Sequence, residues 1–275
     1  MSLNILICPV CLKSLEKRKK QFVCCNNHSF DIAKQGYVNL LQPWQRHSKN
    51  PGDNSEMIKT RTAFLNKDFY RPMIDQLILM IKDLNLSSDD SCLDSGCGEG
   101  YYTEKLQKKT LSAWYGLDIS RAGILTACRR DSGINWLVAS SKKLPFKSNS
   151  VKVITSLFSF IDTVEFKRCL PDDGVLYTVT PGTKHLHQLR SILYDEVIPF
   201  NESKIVDRIS PDFNLIMQKK ITVPVFLKST GDILNLAKMT PHYWRAKSKA
   251  KESLKDLHQL KIEADFCINM FTPAL

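Results

Sequence analysis

Ser91-Cys92-Leu93-Asp94-Ser95-Gly96-Cys97-Gly98-Glu99-Gly100-Tyr101-Tyr102-Thr103 is the stretch on which the fold turns. The chain has only 11 glycines in 275 residues, and three of them fall here within five positions. A short apolar strand ahead of them and a helix start behind give that clustering a backbone reason: glycines let the main chain turn sharply and approach a ligand closely. The pattern is G-x-G-x-G, preceded by Asp94. The dinucleotide fingerprint G-x-G-x-x-G fails because position 101 is Tyr, which argues against NAD.

Working outward, Ala113–Asp118 reads as a second strand ending in an acid, 18 residues after Gly100. A carboxylate at that strand end can accept both hydroxyls of a ribose in the crevice of an open α/β sheet. Residues 135–140 read as a third strand, Leu144-Pro145-Phe146 precedes a fourth at 151–156, and 173–180 reads as a fifth. The alternation of Ile262, Ala264, Phe266, Ile268 and Met270 predicts a closing antiparallel strand. A helix is expected from Ser55, and Met73, Leu77, Ile81 and Leu84 give 72–84 a helical period; 200–215 carries no assignable pattern. The sum is an α/β fold, a mostly parallel, doubly wound sheet with helices on both faces. Asp94, Gly96, Gly98, Gly100 and Asp118 are its candidate cofactor-binding set.

The second motif lies at the amino-terminal end: Cys8-Pro-Val-Cys11, twelve residues, then Cys24-Cys25-Asn26-Asn27-His28. Read as C-x2-C-x12-C-x3-H it supplies three thiolates and an imidazole, the donor set of a closed, structural zinc site. The two halves are expected to meet through an antiparallel return at Lys17-Arg18-Lys19-Lys20. Cys25 is the one-residue alternative to Cys24, and alternation along 21–24, which puts Phe22 and Cys24 on one side, favours Cys24. A redox Cys-x-x-Cys would need a thioredoxin-like βαβ context that is missing here. The other five cysteines, Cys92, Cys97, Cys128, Cys169 and Cys267, are scattered through apolar stretches and read as inert thiols.

Composition sets the outer bounds. With 43% apolar and 24% charged residues the chain can bury a core. No window approaches the ~18 apolar residues of a membrane span, and Met-Ser-Leu-Asn at the start is unlike a signal peptide. A cytoplasmic protein with no membrane partner is expected. The net charge is +11, and residues 1–50 hold eight Lys and Arg against Glu16 and Asp31, a local balance of +6. Such an excess favours a polyanionic partner, because phosphates held by Lys and Arg release condensed counterions.

The order of LDxGCGEGYYT, GLDIS and VASSxxLPF resembles a class I (Rossmann-like) S-adenosylmethionine-dependent methyltransferase. Other stretches narrow the likeness: the knuckle, the run from Phe30 to Leu41 (FDIAKQGYVNLL), Pro51-Gly52-Asp53, the run from Thr180 to Leu186 and that from Met239 to Ala246 (MTPHYWRA). Together they resemble the 23S ribosomal RNA guanine-N1 methyltransferases, over nearly the whole chain. That resemblance implies Cys8, Cys11, Cys24 and His28 as zinc ligands, and cofactor contacts at Tyr70, at Gly98-Glu99 and at His185. It implies a zinc-binding RNA-recognition head at 1–41, a linker at 42–54 and the methyltransferase domain at 55–275. S-adenosylmethionine and structural Zn2+ are the implied cofactors, 23S ribosomal RNA the partner, and a homodimer a possible assembly.

The implied reaction is methyl transfer to N1 of one guanine in an rRNA hairpin loop. N1 lies on the Watson–Crick edge, so the base must be unpaired or flipped, stacked on an apolar wall and relieved of its proton. Phe158, Phe160 and Trp44 are candidate walls; Asp162 and Glu165 are carboxylates within reach in sequence, and no single catalytic residue is assigned. Three positions depart from the usual methyltransferase pattern: Ser95 in the loop, Lys152 where Asp is common, suggesting an edge or altered packing, and 155–160, which lacks a proline turn. A methyltransferase for another RNA or a small molecule, with a purely structural knuckle, is the alternative. A zinc RNA-binding protein with a decayed cofactor site is a third reading, opposed by the intact loop.

Overall fold

The computed structural model describes residues 5–45 and 52–274. Arg46 to Pro51, part of the expected linker, lie outside the described residues, as does Leu275. A three-stranded antiparallel ribbon comes first, β1 (Leu15–Arg18), β2 (Gln21–Cys24) and β3 (Ser29–Asp31), then the short strand β4 (Val38–Asn39) and helices α1 (Ser55–Leu65) and α2 (Arg71–Lys82). Strand and helix then alternate: β5 (Ser91–Ser95), α3 (Tyr101–Gln107), β6 (Ala113–Asp118), α4 (Arg121–Ala127), β7 (Asn135–Val138), β8 (Val153–Leu157), α5 (Thr163–Cys169), β9 (Val175–Pro181), α6 (His187–Leu193) and α7 (Ser203–Ile209). The chain ends with β10 (Phe213–Leu227), α8 (Thr230–Lys238), α9 (Pro241–Arg245), α10 (Ser248–Ser253) and β11 (Leu260–Pro273).

The large sheet has the order β10-β11-β9-β8-β5-β6-β7-β4. Every pair from β4 to β9 is parallel, and β11 and β10 add antiparallel at one side. From central β5 the chain winds one way through β6 and β7, then returns to the other side of β5 as β8 and β9. The carboxyl ends of β5 and β8 therefore open a crevice at the point where the winding reverses, the usual place for a ligand in such a sheet.

Burial on both faces explains the sequence of the central strands. Cys92, Trp114 and Trp136 join the core beneath α1 and α2, while their neighbours Leu93, Tyr115 and Leu137 join the core on the opposite face, as the two-residue period of a strand requires. That second core also contains Ile5, Leu6, Cys8, Leu15 and Cys24. The amino-terminal segment is stitched to the sheet domain as well: Leu6 bridges Phe146, and Ile7 N donates to Pro145 O at 3.0 Å. Strand β4 itself completes the large sheet, with Leu40 N donating to Val138 O at 2.9 Å.

Several expectations shift. Lys152 is not at an edge: its N donates to Ser91 O and its carbonyl accepts from Val175 N, so it sits between β5 and β9, and its ammonium pairs with Asp173. The long strand β10 occupies part of the region without a sequence pattern. Residues 214–220 are exposed on both sides of this outermost strand, so alternation is absent there. Pro224 is tolerated because β10 is an edge.

Candidate metal centre and cofactor cleft

Two tight turns build the metal centre. Leu12 N donates to Cys8 O (2.8 Å), with Leu12 at φ +62, and Asn27 N donates to Cys24 O (3.0 Å), with Asn27 at φ +60. The β1–β2 hairpin brings the turns together. One ligand atom from each of Cys8, Cys11, Cys24 and His28 then lies within 4.8 Å of all the others. His28 Nδ1 is 3.6 Å from Cys8 Sγ and 3.4 Å from Cys24 Sγ, and Cys11 Sγ is 3.6 Å from Cys24 Sγ. Zinc–sulfur bonds of about 2.3 Å and a zinc–nitrogen bond of about 2.0 Å give tetrahedral edges of roughly 3.5–3.8 Å, so the donor set fits zinc. Burial pushes the Cys8 thiol up to about 11, so a thiolate there needs a cation beside it. Cys25 is exposed, with its thiol toward Asn26.

The glycine loop follows β5. Gly96, Gly98 and Gly100 have φ of +82, +56 and +85. A Cβ at Gly96 would collide with Ser159, and one at Gly100 would lie 2.8 Å from Ala127 Cβ and from the Trp136 ring. At Gly98 a Cβ would meet only the Arg61 guanidinium, at 3.3 Å, so this is where the loop backbone opens to the crevice. Asp94 supports the loop from beneath: it accepts from Thr103 Oγ1 (2.5 Å) and Thr155 Oγ1 (3.0 Å), and burial pushes its carboxyl up to about 6. Glu99 is similarly enclosed. Its carboxylate pairs with Arg130 and accepts from Thr62 Oγ1 (3.1 Å), tying the loop to α1 and to the end of α4. Asp118, at the end of β6, accepts from Gly98 N (2.8 Å) and Ser120 N (2.7 Å), and burial raises its pKa. One lone pair remains on each oxygen.

These elements line a cleft of about 810 Å³. The glycine loop and β6 contribute Gly96, Gly98, Glu99 and Asp118, α1 contributes Arg61, and Tyr70, Phe158, His185, Phe200 and His242 also line it. Tyr70, at the start of α2, packs on Phe64 (5.1 Å between ring centroids) and Phe266 (4.9 Å), and its buried hydroxyl has no partner. His185 donates from Nδ1 to Asp265 O (2.6 Å), and burial pulls its pKa down to about 4. Phe158, just past β8, has φ +56 and is 41% exposed, with its ring 6.3 Å from that of His185.

Comparison with known proteins now bears on this geometry. The family described as "RlmA, N-terminal", a zinc ribbon, matches residues 6–49, and a methyltransferase domain family matches residues 92–172. The 23S rRNA (guanine(748)-N(1))-methyltransferase of Streptomyces fradiae is 26% identical over 272 residues, covering 96% of this chain and 95% of that protein. YxjB of Bacillus subtilis (strain 168), provisionally named a 23S rRNA (guanine-N(1)-)-methyltransferase, is 27% identical over 269 residues, 94% of this chain and 93% of its own. This chain thus carries a zinc-ribbon and a methyltransferase domain, and is similar over nearly its whole length to zinc-headed guanine-N1 methyltransferases. A SAM-dependent methyltransferase from Aquifex aeolicus shares the fold, with TM-score 0.51 at 14% identity over 82% of this chain and 100% of that one.

Within this methyltransferase the candidate residues separate. Tyr70, Gly96, Gly98, Glu99, Asp118 and His185 line one cleft, whereas Asp94 and Gly100 lie behind it and shape the loop. Phe158 and Phe160 line the cleft; Trp44, 64% exposed in the 3-10 turn Pro43–Gln45, does not. Asp162 caps α5 by accepting from Glu165 N, and Glu165 is held by Arg168 and Leu144 N, so neither carboxylate reaches the cleft. Sequence reasoning passed over Arg61, which pairs with Asp53 and donates to Met239 O (3.2 Å), and Phe200 and His242, which also line the cleft. MTPHYWRA was the one available signal for His242.

Proposed function

We propose that this enzyme methylates N1 of one guanine in a hairpin loop of 23S ribosomal RNA, with S-adenosylmethionine as methyl donor. The carrying observation is the joining of a three-thiol, one-imidazole centre to a cofactor-sized cleft through one shared sheet and core. The cleft suits the cofactor. Gly98 leaves backbone open to it, Asp118 keeps acceptor lone pairs for ribose hydroxyls, and the unpartnered Tyr70 hydroxyl and the His185 imidazole supply further polar contacts. Bound there, the cofactor supplies an electrophilic methyl on a sulfonium whose departure leaves neutral sulfur.

The chain's own residues have three tasks. Tyr70, Asp118 and the loop around Gly98 and Glu99 hold and orient the cofactor; alignment and exclusion of water supply most of the rate. Phe158 and Phe160, both partly exposed at the cleft, offer flat faces for an extruded base. The zinc head, residues 1–41, presents Lys17, Arg18, Lys19 and Lys20 to RNA phosphates, with 42–54 linking it to the methyltransferase domain at 55–275. Its docking on the sheet makes the head a fixed grip. Among the described residues no helix is long and apolar enough to cross a membrane; a cytoplasmic location and a two-fold pairing of heads around one RNA complete the reading.

The test is incubation of zinc-loaded protein with labelled S-adenosylmethionine and large-subunit RNA lacking its methyl marks, followed by nucleoside mass spectrometry. The expected product is 1-methylguanosine confined to one hairpin fragment. No label in RNA despite intact cofactor binding would overturn the ribosomal reading.

A further inference from the structure

Methylation at guanine N1 releases a proton, and the carboxylates around the cleft are committed elsewhere. Asp53 pairs with Arg61 and Glu99 with Arg130, Asp118 holds the loop backbone, and Asp162 and Glu165 serve α5. Two imidazoles remain, both lining the cleft and both next to Phe200, whose ring lies 6.3 Å from His185 and 6.1 Å from His242.

Hydrogen bonding fixes which nitrogen of each ring is bare. At His185 the partner of Nδ1 is a carbonyl, which can only accept, so Nδ1 carries the hydrogen and Nε2 the lone pair. At His242 the deciding partner is Tyr194. The Tyr194 hydroxyl donates to the His242 carbonyl at 3.1 Å, and its oxygen lies 3.2 Å from His242 Nδ1. A hydroxyl has one hydrogen, so Nδ1 donates to Tyr194 Oη and Nε2 is left as the acceptor. Among the described residues His242 Nε2 has no partner, and it is not among the sealed, unpartnered polar atoms.

The surroundings separate the two rings. His185 is closed in by Tyr70, Phe266 and Phe158. His242 is half-buried on α9, faced by Arg245 of its own helix, by Arg190 and Tyr194 at and just beyond α6, and by His185 from the turn after β9. Burial and the two guanidinium groups pull His242 down to about 4, so the ring is neutral at cellular pH and gives up to water a proton it has acquired.

We propose that His242 Nε2 is the catalytic acceptor of the N1 proton, an assignment that rests on the guanine-N1 reading above. The sulfur–methyl bond breaks with its electron pair remaining on sulfur, and the N1 lone pair forms the new bond to the methyl carbon. The N1–H bond breaks, its pair stays on N1, and the proton passes to Nε2 and then to water. A weak base suffices because the N1 hydrogen becomes strongly acidic as the nitrogen is alkylated, which makes the proton transfer late.

The experiment is single-turnover methylation of the unmodified rRNA hairpin by the wild type, His242→Gln and His242→Asn between about pH 6 and pH 10. Both variants are expected to lose about 10²–10³-fold near pH 7 with cofactor Kd unchanged by calorimetry. Their rates should then climb about tenfold per pH unit, until N1 ionises unaided, while the wild type stays flat. A constant-factor loss at every pH, or no loss, would overturn the assignment, as would the rising profile appearing in His185→Gln instead. Formation of 1-methylguanosine by the wild type checks the underlying reading separately, so the two failures are distinguishable.

Discussion

Gly96 holds a left-handed backbone with its missing side chain facing Ser159, whose hydroxyl donates to Ser95 O at 2.6 Å. Gly96→Ala combines an unfavourable φ with a collision in a buried corner, and a loss of about 2–4 kcal/mol is expected. A thermal melt reads it directly, and an unchanged melting temperature would mean that the loop and Ser159 move apart freely. Asp94 makes a different kind of prediction. Burial raises its carboxyl from 3.8 in the unfolded chain to about 6 in the native protein. Its contribution to stability is therefore complete below about pH 4 and is lost as pH rises through about 6. The gap corresponds to about 3 kcal/mol. Asp94→Asn keeps the contacts to Thr103 and Thr155 and removes the titration. Urea unfolding should show the variant gaining on the wild type between about pH 4 and about pH 7; parallel profiles would mean that Asp94 ionises normally.

At the scale of elements, the ribbon's β1–β2 turn is the clearest lever on RNA. Lys17, Arg18, Lys19 and Lys20 are all exposed, and Arg18 alone among them forms an ion pair, with Glu16 at 3.3 Å. Alanine at all four should weaken RNA binding and reduce the log–log salt slope by up to about 0.7 for each phosphate that is no longer neutralised, with cofactor affinity unaffected. A slope equal to that of the wild type would remove the head as the RNA grip. The elements differ in how plainly they show in sequence. β5 and its loop were legible because three glycines in five residues mark a backbone that must turn through the left-handed region, and β6 and β7 because apolar runs end in polar turns. The metal cluster was legible because its ligands are local in the chain. β10 was not, since an edge strand exposed on both sides over 214–220 has no alternation to detect. The long-range packing that sets Tyr70 against Phe266 and His242 against Tyr194 in the cleft is not written in neighbouring residues.

Across the whole molecule, head and cleft share a sheet, and this predicts that zinc and cofactor affect each other's binding. The path is short. Ribbon strand β3 leads to β4, which pairs in parallel with β7, and the Tyr37 hydroxyl just before β4 accepts from Arg121 Nε at 2.9 Å. Arg121 begins α4, three residues after Asp118, and the Ser120 hydroxyl caps that helix at Gly123 N while donating to Asp53 O at 2.8 Å. Removing the metal takes away the constraint that holds the Cys8 and Cys24 turns together, and with them Leu6 and Leu15 in the core beneath β6. Freed from that core, β4 and the start of α4 should fluctuate, and Asp118 should spend less time where the cofactor needs it. Titrating S-adenosylmethionine into zinc-loaded and chelator-stripped protein should show a several-fold weaker Kd without zinc. Thermodynamic reciprocity then requires the cofactor to raise zinc affinity by the same factor, which competition with a metal-sensitive dye measures independently. Equal cofactor affinity in both forms would mean that the shared sheet transmits nothing, and the head would then act on RNA alone.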